Sequence, residues 1–318
     1  MIDVGLALAR AVHFAATLLM EGSVVFAVFV LPAPVGGKQQ PMLRALNTTI
    51  AAAWIVALLS GAAWLILLAG QIGETSVSAA LRDGTVWALL RQTQFGMSWQ
   101  GRFAGFVAFA AILLAAPRPA GARNAFDVCA VLVSVALAGS LAWSGHGAAT
   151  PGAIGDLQLA ADMVHLAAAG VWLGGLLPFT LLLIGYAGGE DLEGITRRFS
   201  VLALTSVLFL MATGILNGSL LVGSVSALAT TLYGNLLLAK IGLFVLMLAF
   251  AAVNRLVHTP RLAAKRQASD RARSRLIIHS VCELALGAAI LVIVGVLGTL
   301  APPAHEPHAP MAHASMHE

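Results

Sequence analysis

Eight long apolar stretches dominate this chain and limit what it can fold into. A stretch of about 20 apolar residues is long enough to cross a bilayer as a helix. Inside lipid, a helix satisfies its own backbone hydrogen bonds, so we expect an all-α polytopic membrane protein with eight transmembrane helices. The predicted spans cover residues 3–31, 45–70, 100–116, 126–143, 158–185, 199–223, 233–256 and 276–300. The third is the shortest and is allowed to begin as early as Phe95, because the segment before it looks partly interfacial.

Composition supports a membrane protein and excludes several other classes. Of the 318 residues, 59% are hydrophobic and only 10% charged, with a mean hydropathy of +0.90, whereas soluble domains carry about 25% charged residues. The net charge of +4 comes from cations between the spans, so we expect no nucleic-acid binding. Cys129 and Cys282 form no CxxC pair, so neither a disulfide framework nor a thiolate zinc site is indicated. The N-terminus predicts a retained first helix instead of a signal peptide.

The distribution of Lys and Arg predicts the orientation in the membrane. Basic residues concentrate in loops that face the cytoplasm. They occur in the loops after spans one, three, five and seven, at Lys38, Arg44, Arg118, Arg123, Arg197, Arg198, Arg261, Lys265, Arg266, Arg271, Arg273 and Arg275. The loops after spans four and six and the C-terminal tail have none, so both termini are expected on the periplasmic side. Arg82 and Arg91, after span two, argue mildly against this assignment.

An internal repeat divides the chain into two tandem four-helix units. Aligning His13 with His165 also aligns Gly22 with Gly174. The later helices of each unit match in the same order, with Ser60-Gly61 against Thr213-Gly214, Arg102 against Lys240, and His146 against His305. An even number of spans per unit implies parallel repeats. We predict a first unit over residues 1–146, a second over 147–300, and a His/Met-rich periplasmic tail over 301–318.

The repeat predicts a cluster of candidate metal ligands at the periplasmic ends of the helices. Imidazole with thioether is the ligand set that suits copper, especially Cu(I), whereas calcium would require clustered carboxylates. The candidate ligands are His13, His146, His165, Asp162, Met97, His305, His308, Met311, His313, Met316 and His317.

Each candidate also has a simpler interpretation. A single histidine in a membrane helix often only hydrogen-bonds a neighbouring helix. Asp162 is either a direct ligand or a group that orients His165. Arg102 and Lys240 could simply extend to the interface. An intramembrane carboxylate is a functional candidate by default, so Glu21, together with Trp172, is a candidate for the transport path.

One stretch carries a family resemblance. It reads SGHG, then a Pro-Gly loop, then DMVHLAAAGVWLGGLLPF from Asp162 to Phe179. This pattern resembles the CopD family of bacterial inner-membrane copper-resistance proteins, and the likeness extends over all eight spans. The resemblance implies a role in copper homeostasis, with copper moved across the membrane alongside a separate periplasmic CopC-like copper-binding protein. It also implies that His13, His165 and the loop residue His146 are ligands.

These observations predict a transporter and not an enzyme. In this hypothesis the tail and His146 collect copper in the periplasm and pass it to His13 and His165, with Asp162 tuning the imidazole. The chain contains no nucleotide-binding loop, so transport would be passive or driven by the membrane potential, which favours import of a cation. Two alternatives stay open: a haem-binding redox protein of the HemJ type, with His13 and His165 as axial ligands, and a copper chaperone for oxidase assembly.

Overall fold

The computed structural model describes residues 3–32, 40–115, 125–145, 152–185, 191–222, 224–263 and 266–305, except for the side chains of Gln40, Arg266 and His305. These residues are almost entirely helical and contain no strand. Eight helices are long and apolar enough to span a membrane, which confirms the predicted fold class. They are α1 (Val4–Val30), α2 (Pro41–Ile72), α3 (Gln94–Ala115), α4 (Ala125–Ser144), α5 (Gly152–Gly185), α6 (Leu192–Val222), α7 (Leu232–Arg261) and α8 (Gln267–Leu297).

Several helices are longer than the predicted spans. α6 begins seven residues before residue 199 and α8 nine residues before residue 276. The added turns are rich in Arg and other good helix formers, so the backbone hydrogen bonds continue beyond the apolar segment. Hydropathy therefore located the apolar part of each helix and not its ends. Short helices at Val77–Arg82, Thr85–Gln92 and Val225–Thr230 precede α3 and α7, and α3 begins near Phe95, as the sequence allowed.

The turns that lead into α3 and α7 have the same local structure. Before α3, Thr93 Oγ1 accepts a hydrogen bond from the Gly96 amide at 3.0 Å and donates one to the Leu89 carbonyl at 2.6 Å. Before α7, Thr231 Oγ1 accepts from the Gly234 amide at 3.0 Å and donates to the Ala227 carbonyl at 2.7 Å. These residues are equivalent in the sequence repeat. Each threonine thus satisfies an amide at the start of its helix.

The first helix of each predicted unit lies at the centre of the bundle. In their most apolar segments α1 is 67% buried and α5 61%, whereas the other spans reach 39% at most. A Cβ atom at Gly22 of α1 would overlap the α5 backbone at Gly174, Gly175 and the Gly170 carbonyl, and one at Gly174 would overlap the Leu18 carbonyl. Small residues let two helix backbones approach this closely in a membrane. The α1–α5 pair therefore carries both candidate histidines into the interior.

Candidate functional site

His13 is fully buried in the first half of the bundle. Its Nδ1 lies 2.9 Å from the carbonyl oxygen of Ala57 on α2. A carbonyl can only accept, so Nδ1 carries the proton and Nε2 holds the free lone pair. Nε2 is buried and has no hydrogen-bond partner among the described residues. The hydrogen bond thus fixes the tautomer of the ring, and a metal ion or a proton would bind at Nε2.

Aromatic rings and arginines surround His13. Its ring centroid lies 5.7 Å from that of Trp64 and 5.2 Å from that of Trp99. The guanidinium of Arg10 lies over Trp64 at 4.6 Å, and that of Arg102 over Trp99 at 4.8 Å. Both are cation–π contacts. The His13 environment is therefore crowded and carries two cations.

The same two arginines hold the end of α4. Arg102 is only 2% exposed, and its Nη2 donates to the Ser140 carbonyl at 2.8 Å and to Ser144 Oγ at 3.1 Å. Arg10 Nη2 donates to the Ser144 carbonyl at 3.4 Å. Arg102 therefore does not extend to the interface, because serine oxygens and an indole face stabilise its charge inside the bundle. Both arginines anchor the turn that leads to His146.

His165, which the sequence repeat pairs with His13, lies on α5. Its Nδ1 lies 2.9 Å from Thr213 Oγ1, and that hydroxyl donates to the Phe209 carbonyl at 2.6 Å. Because the hydroxyl proton is already used, Thr213 accepts from His165, and Nδ1 again carries the proton. His165 therefore also presents its Nε2 lone pair, and a threonine of α6 replaces the backbone carbonyl that holds His13.

Asp162 lies one turn before His165 but does not hydrogen-bond it. Its Oδ1 accepts from Asn217 Nδ2 at 2.6 Å. A Cβ placed on Gly145 would lie 3.8 Å from its Oδ2, so the turn before His146 passes next to this carboxylate. Lys240 interacts with it electrostatically. Orienting His165 was one of the two roles predicted for Asp162. In the structure Thr213 hydrogen-bonds the imidazole instead and takes that role.

The remaining candidate ligands are distributed differently. Met97 is 61% exposed and lies in a surface groove with Gln94 and Trp143. Met163 packs beside α4, since a Cβ atom placed on Gly139 would lie 3.7 Å from its Cβ. Six candidates lie outside the described residues: His146, His308, Met311, His313, Met316 and His317. The side chain of His305 also lies outside them.

The two path candidates are both buried near the α1–α5 contact. Glu21 is 0% exposed, packs against Gly170, and neither of its carboxyl oxygens has a hydrogen-bond partner in the described chain. A buried polar group without a partner is costly, which usually indicates an ion, water or functional role. Trp172 is 2% exposed, packs edge-on to Phe244 at 6.0 Å, and lines a cavity of about 300 Å³.

His13 and His165 contact different helices. His13 meets residues of α2 and α3, whereas His165 meets residues of α6. Within the described ranges, no three His, Cys, Asp or Glu side chains lie close enough to hold one metal ion. Sequence reasoning missed Arg10 and Asn217, although the repeat pairs Arg10 with Asp162 in the alignment of the first helices and Trp64 with Asn217 in that of the second helices.

Comparisons with known proteins agree with this architecture. Residues 1–156 match the family described as copper resistance protein D-like, N-terminal domain, and residues 193–297 match copper resistance protein D. The chain is 32% identical over 265 residues to the copper resistance protein D of Pseudomonas syringae pv. tomato, covering 77% of this chain and 83% of that protein. The chain belongs to the copper resistance protein D family. It is therefore a multi-pass membrane protein of copper homeostasis.

Other relatives of this copper resistance protein D family member have related names. The inner membrane protein YebZ of Escherichia coli (strain K12) is 29% identical over 297 residues, which cover 92% of this chain and 97% of YebZ. The copper transport protein CutJ of Bacillus subtilis (strain 168) is 29% identical over 312 residues, 94% of this chain but 53% of CutJ. No solved structure matches the chain.

Proposed function

We propose that this multi-pass inner-membrane protein binds copper on its periplasmic side and moves it across the membrane. The observation that carries the proposal is the fixed tautomer of His165, whose Nδ1 donates to Thr213 and whose Nε2 lone pair is left to bind a metal ion. Imidazole nitrogen is a good copper ligand. The names of the relatives, copper resistance protein D and copper transport protein CutJ, support copper as the cargo.

Charge favours His165 over His13 as the copper-binding imidazole. Arg10 and Arg102 both act electrostatically on His13, and no acidic side chain among the described residues does so. Near His165, the Asp162 carboxylate offsets the charge of Lys240. A cation entering a poorly solvated site beside two guanidinium groups is repelled, whereas a site with a carboxylate is close to neutral. We therefore assign copper binding to His165 with Asp162, and to His13 a role in holding the first half together.

His146 completes the site in this proposal. The turn before it lies against Asp162 on one side and is held by Arg10 and Arg102 on the other. We include His146, the residue that follows this turn, as a further ligand of copper at His165. The His/Met tail and a separate CopC-like protein would deliver copper to it. The protein acts without enzymatic chemistry, and the inside-negative potential draws a cation inward by about 2.3 kcal/mol per 100 mV.

Copper uptake into vesicles tests the proposal. Full-length protein in vesicles that contain a Cu(I) chelator should take up copper when an inside-negative potential is applied. A potential of 100 mV corresponds to about a fiftyfold change in the equilibrium distribution of a monovalent cation. Vesicles without protein and vesicles without a potential are the controls. Copper binding without any uptake would favour the chaperone alternative, and a Soret band in copper-free protein would move the chain to the haem class.

Glu21 provides a separate prediction about the path. Glu21→Gln keeps the size of the side chain and removes its ionisable group, whereas Glu21→Leu introduces the residue that the repeat has at Leu173. We expect both variants to fold and to bind copper at the His165 site as before. Uptake should fall on the order of tenfold or more, because an intramembrane carboxylate without a partner is suited to interact with a passing cation. Unchanged uptake in both variants would assign Glu21 to packing against Gly170.

A further inference from the structure

A second cluster of polar side chains lies at the opposite end of α7 from Lys240. It comprises Asn254 and His258 on α7 and His279 and Glu283 on α8. The 18 residues from Lys240 to His258 correspond to about 27 Å along a helix, close to the roughly 30 Å thickness of the hydrocarbon core. Residues 254–258 form a π-helical turn, a local irregularity that is frequent at functional sites. The cluster therefore lies at the other membrane face from His165.

A chain of hydrogen bonds fixes the protonation pattern of this cluster. Asn254 Nδ2 donates to Glu283 Oε1 at 2.8 Å, which turns its Oδ1 towards His279. His279 Nδ1 lies 2.9 Å from that oxygen. An amide oxygen can only accept, so His279 carries its proton on Nδ1 and has a free lone pair on Nε2. This is the same tautomer that the structure shows for His13 and His165.

His258 adds a second imidazole to the cluster. Its ring centroid is 5.0 Å from that of His279, with the rings at 66°. His258 is 8% exposed, and its Nδ1 is buried without a hydrogen-bond partner in the part of the chain that is described. The hydroxyl of Ser280, on α8 between His279 and Glu283, is also buried and unpaired in that part. Buried polar atoms of this kind are suited to bind a water molecule or an ion.

A cavity borders part of this cluster. The cavity of about 300 Å³ that Trp172 lines also has Ser280, Glu283 and Asn254 in its wall. Arg255 lies in the same wall, but its Nη1 donates to Ser200 Oγ at 2.7 Å. The cavity therefore extends from Trp172, the residue proposed to line the path, to the Asn254–Glu283 pair that orients His279.

We propose that His258 and His279 form a second copper site, from which the cargo leaves the protein on the cytoplasmic side. Asn254 and Glu283 are positioning residues, because their hydrogen bonds orient His279 and keep its Nε2 unprotonated. Two imidazoles are enough for Cu(I), which accepts linear two-coordinate binding. Arg261 and Arg275 act electrostatically on His258, and Glu283, which accepts a hydrogen bond from Asn254, is the acidic group of the cluster. This inference rests on the proposed function, since an exit site has meaning only if copper crosses the membrane.

Copper stoichiometry of the full-length protein in detergent tests this inference. Cu(I) would be titrated against a chromogenic chelator for the wild type, His258→Ala/His279→Ala, and His279→Gln. The Gln variant keeps an N–H group that can donate to Asn254 but lacks the ligand nitrogen. It therefore tests the site even if the double variant misfolds. We expect each variant to lose one copper equivalent while the copper that depends on His165 is retained.

The role of Asn254 in orienting His279 is tested separately. Asn254→Leu should weaken the second site by about 10- to 100-fold, as the loss of a group that orients a metal-binding histidine typically does. Asn235→Ala, an exposed asparagine on the same helix, is the matched control and should change nothing. Full stoichiometry in both histidine variants would overturn the inference alone. If the wild type binds no copper inside the membrane, the proposed function is overturned as well.

Discussion

Replacing His165 with alanine is expected to abolish copper binding at the site near the start of α5, while the equivalent His13→Ala variant keeps it. Both substitutions remove one imidazole from equivalent positions of the repeat, so they form a matched pair. Losing a direct ligand should cost at least about 100-fold in affinity, the upper end of what the loss of a mere orienting group costs. Competition with a Cu(I) chelator on full-length protein measures the difference.

The reason for the asymmetry is the charge beside each ring. Two arginines act on His13, and both are fixed by indole faces and by Ser144. His165 has Asp162 on its own helix, held by Asn217. Asp162→Asn keeps an oxygen there but removes the negative charge, so it should also weaken copper binding. Equal loss of copper in His13→Ala and His165→Ala would contradict this assignment and favour one site built from both rings.

Gly22→Ala is expected to be among the most destabilising single-methyl substitutions in the chain. The added Cβ would overlap the α5 backbone at Gly174 and Gly175 and the Gly170 carbonyl, none of which is a flexible side-chain end. Overpacking typically costs about 1–3 kcal/mol, occasionally more. Here α1 and α5 must separate, which disrupts the central helix pair. Thermal unfolding in detergent and the amount of folded protein in the membrane measure the effect.

Two other glycines supply the control for this prediction. A Cβ atom at Gly101 of α3 or Gly242 of α7 would meet nothing within 4 Å. Alanine is the better helix former by about 1 kcal/mol, so Gly101→Ala and Gly242→Ala should be neutral or slightly stabilising. A Gly22→Ala variant as stable as these controls would show that the two central helices do not need their close approach.

Sequence reasoning was strongest where one segment carries the information alone. Each span is recognisable because lipid requires about 20 consecutive apolar residues, whatever its neighbours are. The repeat was also visible, and Thr93 and Thr231, paired by alignment, make the same hydrogen bonds. The helix ends were less predictable, because polar helix formers continue α6 and α8 beyond the apolar segment. The predicted unit boundaries and the ligand roles stay predictions.

By itself the sequence determined the membrane class and the eight helices, and it predicted a repeat with histidines at equivalent positions. Only the tertiary structure decided which group each side chain meets. It gave His165 a threonine partner instead of Asp162, buried Arg102 beside Ser144, and brought His258 next to His279 from different helices. The physical reason is that hydropathy and periodicity act within one helix, whereas hydrogen-bond partners and charge neighbours depend on how helices distant in sequence pack.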